Sequence, residues 1–202
     1  MQQLSFFDGG LQSPKLPVEL MDYRPAFFSA EESGRLISAL KQNIQWNQET
    51  ILMYGKLLNT PRLTAWYGDN SKTYAFSGKS YDPYPWTKEL LEIKHRVDAA
   101  AGITFNSVLL NLYRNGNDSV AWHADDEPEL GRNPIIASVS FGQVRRFEVR
   151  HKADKKQKYS VDLENGSLLI MKGDLQHHWE HQVPKSTKAL GERINLTFRV
   201  IS

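Results

Sequence analysis

Polar and apolar residues follow two different periods along the chain. A capping box, Ser29-Ala30-Glu31-Glu32, precedes apolar residues at helical spacing, and the same pattern predicts a second helix between Thr87 and Gly102. After Gly102 the period becomes two, with a hairpin signal at Asn115-Gly116. The alternation predicts strands over residues 107–113, 135–141, 146–150, 159–163, 167–171 and 193–201. Many short strands behind two helices predict a mainly β fold with N-terminal helices, in which a jelly-roll barrel is buttressed by the two helices.

The chain divides into regions of different composition. Residues 1–17 carry glycine and proline without any period, which predicts a flexible tail. Residues 18–202 are predicted to form one domain, whose barrel core spans about 103–202. Between about 45 and 86 the chain is rich in Trp, Tyr and Phe without a clear period, which indicates a surface built for stacking on a ligand.

Composition excludes several kinds of chemistry. The 202 residues contain no cysteine, so disulfides, thiolate catalysis and Cys-ligated metal centres are excluded, and a metal would need His, Asp or Glu ligands. The formal charge of +2 is too small to indicate a nucleic-acid partner by itself. No apolar run approaches the length of a membrane span. We expect a soluble, monomeric, intracellular protein without a membrane partner, cytoplasmic and nucleoid-associated if bacterial, or nuclear if eukaryotic.

The motif His123-Ala124-Asp125 has the residue types of a metal site. Side chains two positions apart point to the same side of an extended backbone, and His181 would supply a third ligand. Two imidazoles and one carboxylate form the facial triad of non-haem Fe(II) oxygenases, which leaves coordination positions open. A His-x-Asp pair also occurs by chance in chains that bind no metal, so the surrounding sequence has to decide.

The last predicted strand has two chemically different faces. Its apolar residues are Ile194, Leu196, Phe198 and Val200, and its polar residues are Arg193, Asn195, Thr197 and Arg199. The polar row is either an ordinary solvent-facing row or part of the barrel interior, where polar groups need partners. In the interior, an anionic co-substrate would supply those partners, because the planar guanidinium group suits carboxylates.

Taken together, these residues resemble the AlkB family of Fe(II)/2-oxoglutarate dioxygenases, which repair alkylated nucleic acid. The resemblance runs from about residue 20 to the C-terminus, with the order of motifs intact. It is carried by His123-x-Asp125, His181, Arg193–Arg199, Pro61-Arg62, Asn111–Tyr113, Ala137–Gly142 and Gly166–Met171. Tyr74–Gly78 and Arg150-His151-Lys152 are most similar to the members that act on duplex DNA.

The resemblance implies a fold, two cofactors and the residues that hold them. The fold would be a double-stranded β-helix with a nucleotide-recognition lid over about 45–86, and Fe(II) would be bound at a catalytic centre of His123, Asp125 and His181. The residues implied to surround 2-oxoglutarate are Asn111, Tyr113, Arg193, Asn195, Thr197 and Arg199. Without the resemblance, Asn111 and Tyr113 would read as a structural hydrogen-bonded pair in a sheet.

The implied activity is oxidative dealkylation of N-alkylated bases in single- or double-stranded DNA. The substrates would be 1-methyladenine, 3-methylcytosine and, by extension, etheno adducts, with formaldehyde, succinate and CO2 released. A cationic lesion that pairs poorly costs less to flip out of a duplex than an intact base. The alternatives are the same oxygenase chemistry on RNA or a small molecule, and a barrel that binds nucleic acid without catalysis.

The resemblance also implies residues on the substrate side. Phe76 and the imidazole of His123 would sandwich the flipped base, since bases stack on aromatic rings. The other substrate-side residues are Tyr74 and Ser77 beside the base, Arg62, Glu127 facing the cationic ring, and Tyr54 as a wedge that fills the gap left in the duplex. Alternatively, Glu127 is a solvated loop residue and Tyr54 is buried in its hairpin.

Basic residues cluster within one short segment. The cluster consists of Arg145, Arg146, Arg150, Lys152, Lys155, Lys156 and Lys158. Such a run is usually a solvated face, but beside an aromatic lid it predicts a track for the phosphates of a nucleic acid.

The tail carries one further motif, Gln3-Leu4-Ser5-Phe6-Phe7. It resembles the short peptides with which bacterial replication and repair proteins dock on the sliding clamp, so a clamp is a second expected partner. The alternative is that the two phenylalanines simply pack on the domain.

Overall fold

The computed structural model describes residues 16–53, 55–69, 74–76 and 79–202 of the chain. The helices are α1 (Ala30–Asn43), α2 (Lys88–Ala101) and α3 (Leu175–His178), with a 3-10 turn at Pro128–Leu130. The strands are β1 (Met21–Arg24), β2 (Thr50–Met53), β3 (Lys56–Asn59), β4 (Leu63–Gly68), β5 (Tyr74–Phe76), β6 (Lys79–Tyr81), β7 (Ser107–Tyr113), β8 (Val120–His123), β9 (Ile136–Gly142), β10 (Arg145–His151), β11 (Lys158–Leu163), β12 (Ser167–Met171), β13 (Trp179–Val183) and β14 (Arg193–Arg199).

Two antiparallel sheets form the body of the domain. One has the strand order β1-β12-β9-β14-β7-β4, and the other has the order β11-β10-β13-β8. Two small hairpins, β2–β3 and β5–β6, lie outside these sheets. Tyr113, Phe147, Met171 and Trp179 belong to one buried cluster that includes residues of both large sheets. The predicted jelly-roll architecture is confirmed, because apolar side chains of both sheets share this core.

The two predicted helices are confirmed, and their end signals explain their bounds. Ser29 caps α1 through a complete capping box, in which its hydroxyl accepts from Glu32 N–H and the Glu32 carboxylate accepts from Ser29 N–H. Thr87 caps α2, and Gly102 ends it in the left-handed conformation, with φ of 71°. Both helices contribute to a second buried cluster, which covers the other face of the larger sheet. This sheet is therefore sandwiched between the helices and the smaller sheet.

The strand β14 separates these two cores. Ile194, Leu196 and Phe198 are fully buried in the cluster that includes the helices, so the alternate residues point to the opposite side of the sheet. Val200 lies beyond the end of the strand and is 40% exposed, so its predicted place in the apolar row is wrong. The remaining alternation places the polar residues of β14 toward the smaller sheet, in the interior of the barrel.

The prediction of a hairpin at Asn115-Gly116 is wrong. The strand before it, β7, pairs with β4 and β14, whereas the strand after it, β8, pairs with β13 in the other sheet. The connection therefore crosses from one sheet to the other. An Asn-Gly turn can connect two paired strands or two strands of different sheets. The turn residues do not distinguish these cases, because the difference lies in which distant strand pairs with the strand that follows.

The aromatic stretch before α2 contributes more to the core than the sequence predicts. Tyr67 is 2% exposed, and Trp46 and Trp86 pack against the cluster that includes the helices. The Trp86 ring also stacks on Phe198, with ring centroids 6.5 Å apart. For these residues the prediction of a stacking surface for a ligand is wrong, since their rings stabilise the domain itself. Among the residues that the structure describes, no helix has the length and apolar character needed to cross a membrane.

Candidate metal and co-substrate site

Strand pairing brings together the two histidines of the predicted metal triad, and the following loop adds the carboxylate. His123 ends β8 and lies opposite His181 of β13, so their rings point to the same face, with centroids 4.3 Å apart. Asp125 lies in the loop just beyond β8, and its Oδ1 is 3.8 Å from His123 Nε2. One potential ligand atom from each residue lies within 4.8 Å of the other two. Neighbouring strands therefore supply the histidines, and the loop supplies the carboxylate.

The surroundings hold Asp125 and His181 in the protonation states that bind a cation. Burial alone would raise the pKa of Asp125, but the charge of Arg199 and the two histidines outweigh it and lower that pKa to about 2. Burial and the neighbouring His123 lower the pKa of His181 to about 3, so its ring is neutral near pH 7. His123 Nδ1 lies 2.9 Å from the carbonyl oxygen of Ala121, which can only accept, so Nδ1 is the donor and Nε2 is the ring nitrogen directed at the triad. A neutral His181 ring and an ionised Asp125 carboxylate, together with a second imidazole from His123, fit a divalent metal.

The polar row of β14 and the triad line the same cavity. The predicted co-substrate residues on its wall are Asn111, Tyr113, Arg193, Asn195, Thr197 and Arg199, and the wall also includes His123, Asp125 and His181. Arg199 connects the two groups directly, because its Nη2 donates to Asp125 Oδ1 at 2.9 Å. The prediction that the polar face of the last strand points into the barrel is confirmed.

Arg193 is the most deeply buried cation of this cavity. It is 1% exposed, and its Nη2 donates to Ser140 Oγ at 2.9 Å. Its Nε and Nη1 have no hydrogen-bond partner among the described residues. Burial lowers the pKa of Arg193, and the nearby Tyr113, whose ring lies 5.0 Å from the guanidinium carbon, opposes this effect. A buried guanidinium with unused donors fits the carboxylate of an anionic ligand, so the site also fits 2-oxoglutarate.

Asn195 and Thr197 are held by the protein itself. Asn195 Nδ2 donates to Ser138 Oγ at 2.7 Å and to the Val139 carbonyl oxygen at 3.0 Å. Thr197 Oγ1 donates to Asn195 Oδ1 at 3.1 Å. These bonds fix the wall between the two arginines, which is a structural contribution to the cavity.

Arg62, predicted on the substrate side, lies on the cavity wall just before β4. Its Nε donates to Asn111 Oδ1 at 2.8 Å, and its Nη1 donates to the Ser119 carbonyl oxygen at 3.3 Å. Arg62 therefore orients Asn111, one of the predicted co-substrate residues. A role toward the substrate stays a prediction.

The structure reports less on the other substrate-side residues. Tyr54 and Ser77 lie outside the described residues, and Tyr74 and Phe76 are placed only by the pairing of β5 with β6. Glu127 follows residues 124–126, which include Asp125 and are called the triad loop. Glu127 is partly buried, and its Oε2 has no hydrogen-bond partner among the described residues. The predicted contacts of these residues with a base stay predictions, as does the clamp contact of residues 3–7, which also lie outside the described residues.

The basic cluster is largely neutralised by the protein. Arg145 is 3% exposed and donates to the carbonyl oxygens of Asn115, Asp118 and Pro184, so its predicted role in a phosphate track is wrong. The ion pairs of the other members are Arg146–Asp162, Arg150–Glu180, Lys155–Glu180 and Lys152–Asp126. Lys156 and Lys158 are exposed. A run of cations in the sequence does not show which of them have carboxylate or carbonyl partners across a sheet.

The sequence gives no signal for one buried contact of the site. The side chain of Gln176 accepts a hydrogen bond from the backbone N–H of Asp125 at 3.0 Å, across 51 residues. A glutamine near a histidine strand has no pattern of its own, so only the fold reveals this contact.

Comparisons with known proteins agree on one family. Residues 21–199 match the family model described as the 2OG-Fe(II) oxygenase superfamily. The human protein named alpha-ketoglutarate-dependent dioxygenase alkB homolog 3 is 42% identical over 186 residues, which cover 88% of this chain and 64% of that protein. The human DNA oxidative demethylase ALKBH2 is 38% identical over 184 residues, which cover 86% of this chain and 70% of that protein. The chain thus spans slightly less than two thirds of the length of the first of these relatives.

A solved structure shows the same fold. The structure of OsALKBH1 aligns with a TM-score of 0.64 at 18% sequence identity, and the alignment covers 92% of this chain and 100% of that chain. The superfamily is defined by Fe(II) and 2-oxoglutarate, and the cavity supplies the matching ligand set, so the predicted cofactors are confirmed. From the match over residues 21–199 and these relatives, the chain belongs to the AlkB family of 2-oxoglutarate- and Fe(II)-dependent oxygenases.

Proposed function

We propose that the protein repairs DNA by oxidative removal of alkyl groups from base nitrogens. The observation that carries the oxygenase part is the single cavity in which the His123/Asp125/His181 triad meets the buried arginine row of β14. The DNA part is supported by a relative, named a DNA oxidative demethylase, that is 38% identical to this chain.

One set of cavity residues would bind the metal, and another would bind the co-substrate. His123, Asp125 and His181 would hold Fe(II), and the donors of Arg193, with Tyr113 beside them, would hold one carboxylate of 2-oxoglutarate. Arg199 would keep Asp125 ionised and oriented, because its guanidinium already donates to that carboxylate. Bound Fe(II) and 2-oxoglutarate supply the oxidative decarboxylation, with O2 as oxidant, that hydroxylates an N-alkyl carbon and releases succinate, CO2 and then formaldehyde.

The substrate would be a flipped base with a positive charge. We infer that 1-methyladenine and 3-methylcytosine fit best, because Oε2 of Glu127, beside the triad loop, has no hydrogen-bond partner in the described part of the chain. A carboxylate favours a cationic ring over a neutral one. Phe76, with His123, would stack on the base, Tyr74 and Ser77 would flank it, Arg62 would border it, and Tyr54 would fill the gap left in a duplex.

The activity is tested with three oligonucleotides that carry 1-methyladenine: single-stranded DNA, duplex DNA and RNA. The Fe(II)-loaded protein is incubated with 2-oxoglutarate, and succinate and repaired base are both measured, with His181→Ala as the inactive control. We expect repaired DNA base and succinate in equal amounts from the native protein and neither from the variant. Turnover of the RNA alone would assign the same chemistry to RNA, and no turnover of any oligonucleotide by metal-loaded protein would refute nucleic-acid repair.

A further inference from the structure

The loop that carries Asp125 is fastened to the turn that precedes β13. Gln176 lies in that turn, within α3, and its Oε1 accepts from the Asp125 N–H at 3.0 Å. The same turn leads into β13, which carries His181. One buried side chain therefore connects the segment of the carboxylate ligand to the segment of the second histidine.

The burial of Gln176 is difficult to explain by packing alone. The residue is 1% exposed, and its Nε2 contacts Met171 Sδ at 3.8 Å, which is a weak acceptor. Burying an amide whose donor is so poorly matched costs free energy that a leucine or methionine of similar size would avoid. The amide oxygen of Gln176, in contrast, accepts a well-formed hydrogen bond from Asp125 N–H. We therefore assign the buried amide to holding the triad loop.

Lys152 fastens the same loop one residue further on. Its Nζ donates to the backbone carbonyl oxygen of Gln176 at 2.9 Å and to Asp126 Oδ2 at 3.1 Å. Its backbone N–H also donates to the His178 carbonyl oxygen at 2.7 Å, which ties Lys152 to the end of the same turn. Asp125 is thus held to α3 directly through its main chain, and Asp126 is held to it indirectly through Lys152.

We propose that Gln176, supported by Lys152, is a positioning residue that sets Asp125 at the correct distance from His181 before the metal binds. The proposal rests on the metal role of the triad given above. Arg199 orients the side chain of Asp125, and Gln176 orients its main chain, so the carboxylate is directed from both ends. Outer partners of this kind hold metal ligands in place, and their loss typically weakens metal binding by roughly 10–100-fold.

The test measures binding of Mn(II) to metal-free protein by calorimetric titration, without turnover. Gln176→Leu keeps the size and removes the acceptor, whereas Gln176→Glu keeps an oxygen at the same reach. We expect Gln176→Leu to weaken Mn(II) binding by roughly 10–100-fold and Gln176→Glu to restore binding to within a few-fold of the native protein. Thermal unfolding of each metal-free variant is measured in parallel, because a purely structural role would change the melting temperature and leave the affinity of the folded protein unchanged.

The controls separate this proposal from the proposed function. If native protein and His181→Ala bind Mn(II) equally, the metal role of the triad fails. If the native protein binds, His181→Ala does not, and Gln176→Leu binds like the native protein, then positioning by Gln176 is refuted. If Gln176→Leu does not fold, Lys152→Met decides, because Lys152 is partly exposed: several-fold weaker Mn(II) binding supports the proposal, and unchanged affinity overturns it.

Discussion

At the scale of single residues, Arg193 is expected to lower the stability of the ligand-free fold. Its guanidinium is buried at 1% exposure, and two of its donors have no partner among the described residues. A buried charge without a full set of partners destabilises a fold. We propose that the anionic co-substrate supplies the missing acceptors, so removing the charge should weaken co-substrate binding without lowering the stability of the ligand-free protein.

We predict that Arg193→Met weakens 2-oxoglutarate binding by roughly 10–100-fold, the equivalent of a lost charge-assisted hydrogen bond. The measurement is a titration of Mn(II)-loaded protein with 2-oxoglutarate, and Mn(II) affinity itself should not change. The melting temperature of the ligand-free variant should equal or exceed that of the native protein. Arg146→Met, which removes an exposed arginine paired with Asp162, should leave 2-oxoglutarate binding unaltered. An equal loss in both variants would show that the effect of Arg193 is not local.

At the scale of elements, β3 presents two large apolar side chains to solvent. Leu57 is 73% exposed and Leu58 is 46% exposed on β3. Apolar side chains presented in this way are typical of contact surfaces. The predicted wedge residue, Tyr54, lies between β2 and β3 in the sequence.

The predicted wedge role of Tyr54 should affect repair of duplex DNA more than repair of single-stranded DNA. Tyr54→Ala should lower repair of 1-methyladenine in duplex DNA and leave repair in single-stranded DNA nearly unchanged, because only a duplex has a gap to fill. Initial rates on matched single-stranded and duplex oligonucleotides give the ratio. Leu91→Ala, at an exposed apolar residue of α2, is the control and should not change it. Equal losses on both substrates would contradict a wedge role.

The predicted clamp motif, Gln3-Leu4-Ser5-Phe6-Phe7, is tested separately. A bacterial sliding clamp should retain the native protein in a pull-down and should lose the double variant Phe6→Ala/Phe7→Ala, because apolar anchors dominate small interfaces. Gln12→Ala, in the same tail but outside the motif, should bind like the native protein. Equal retention of all three proteins would rule out the motif as a clamp ligand.

At the scale of the whole molecule, the two cofactors should contribute directly to stability. Ligands that bind only the folded state stabilise it by about 2.7 kcal/mol at a hundredfold excess over their Kd, which for a chain of this size raises Tm by roughly 5–10 °C. We expect this rise when Mn(II) and 2-oxoglutarate are added together to the native protein. His181→Ala should lose most of it, and an equal rise in the variant would place the binding elsewhere.

The sequence predicts those features that depend only on residues within one helix or strand. The caps of α1 and α2, the bounds of β7 and the two faces of β14 all follow from local period and local hydrogen-bonding chemistry. The metal triad and the arginine row become one site in the sequence only through resemblance, since His123 and His181 are brought together by β8–β13 pairing. The sequence does not predict features that depend on residues far away along the chain. These features are the crossing at Asn115-Gly116, the burial of Arg145 and the contact of Gln176 with Asp125.

The alternation along β14 has a consequence for how this protein tolerates mutation. Ile194, Leu196 and Phe198 belong to the core that includes the helices, whereas Arg193 and the alternate polar residues of β14 border the cavity that contains the triad. In a scan of every substitution over residues 193–199, substitutions at 194, 196 and 198 should lower cellular abundance most. Substitutions at the alternate positions should lower repair per folded molecule most. Function could then diverge at every second residue of this strand while folding is conserved by the residues between them.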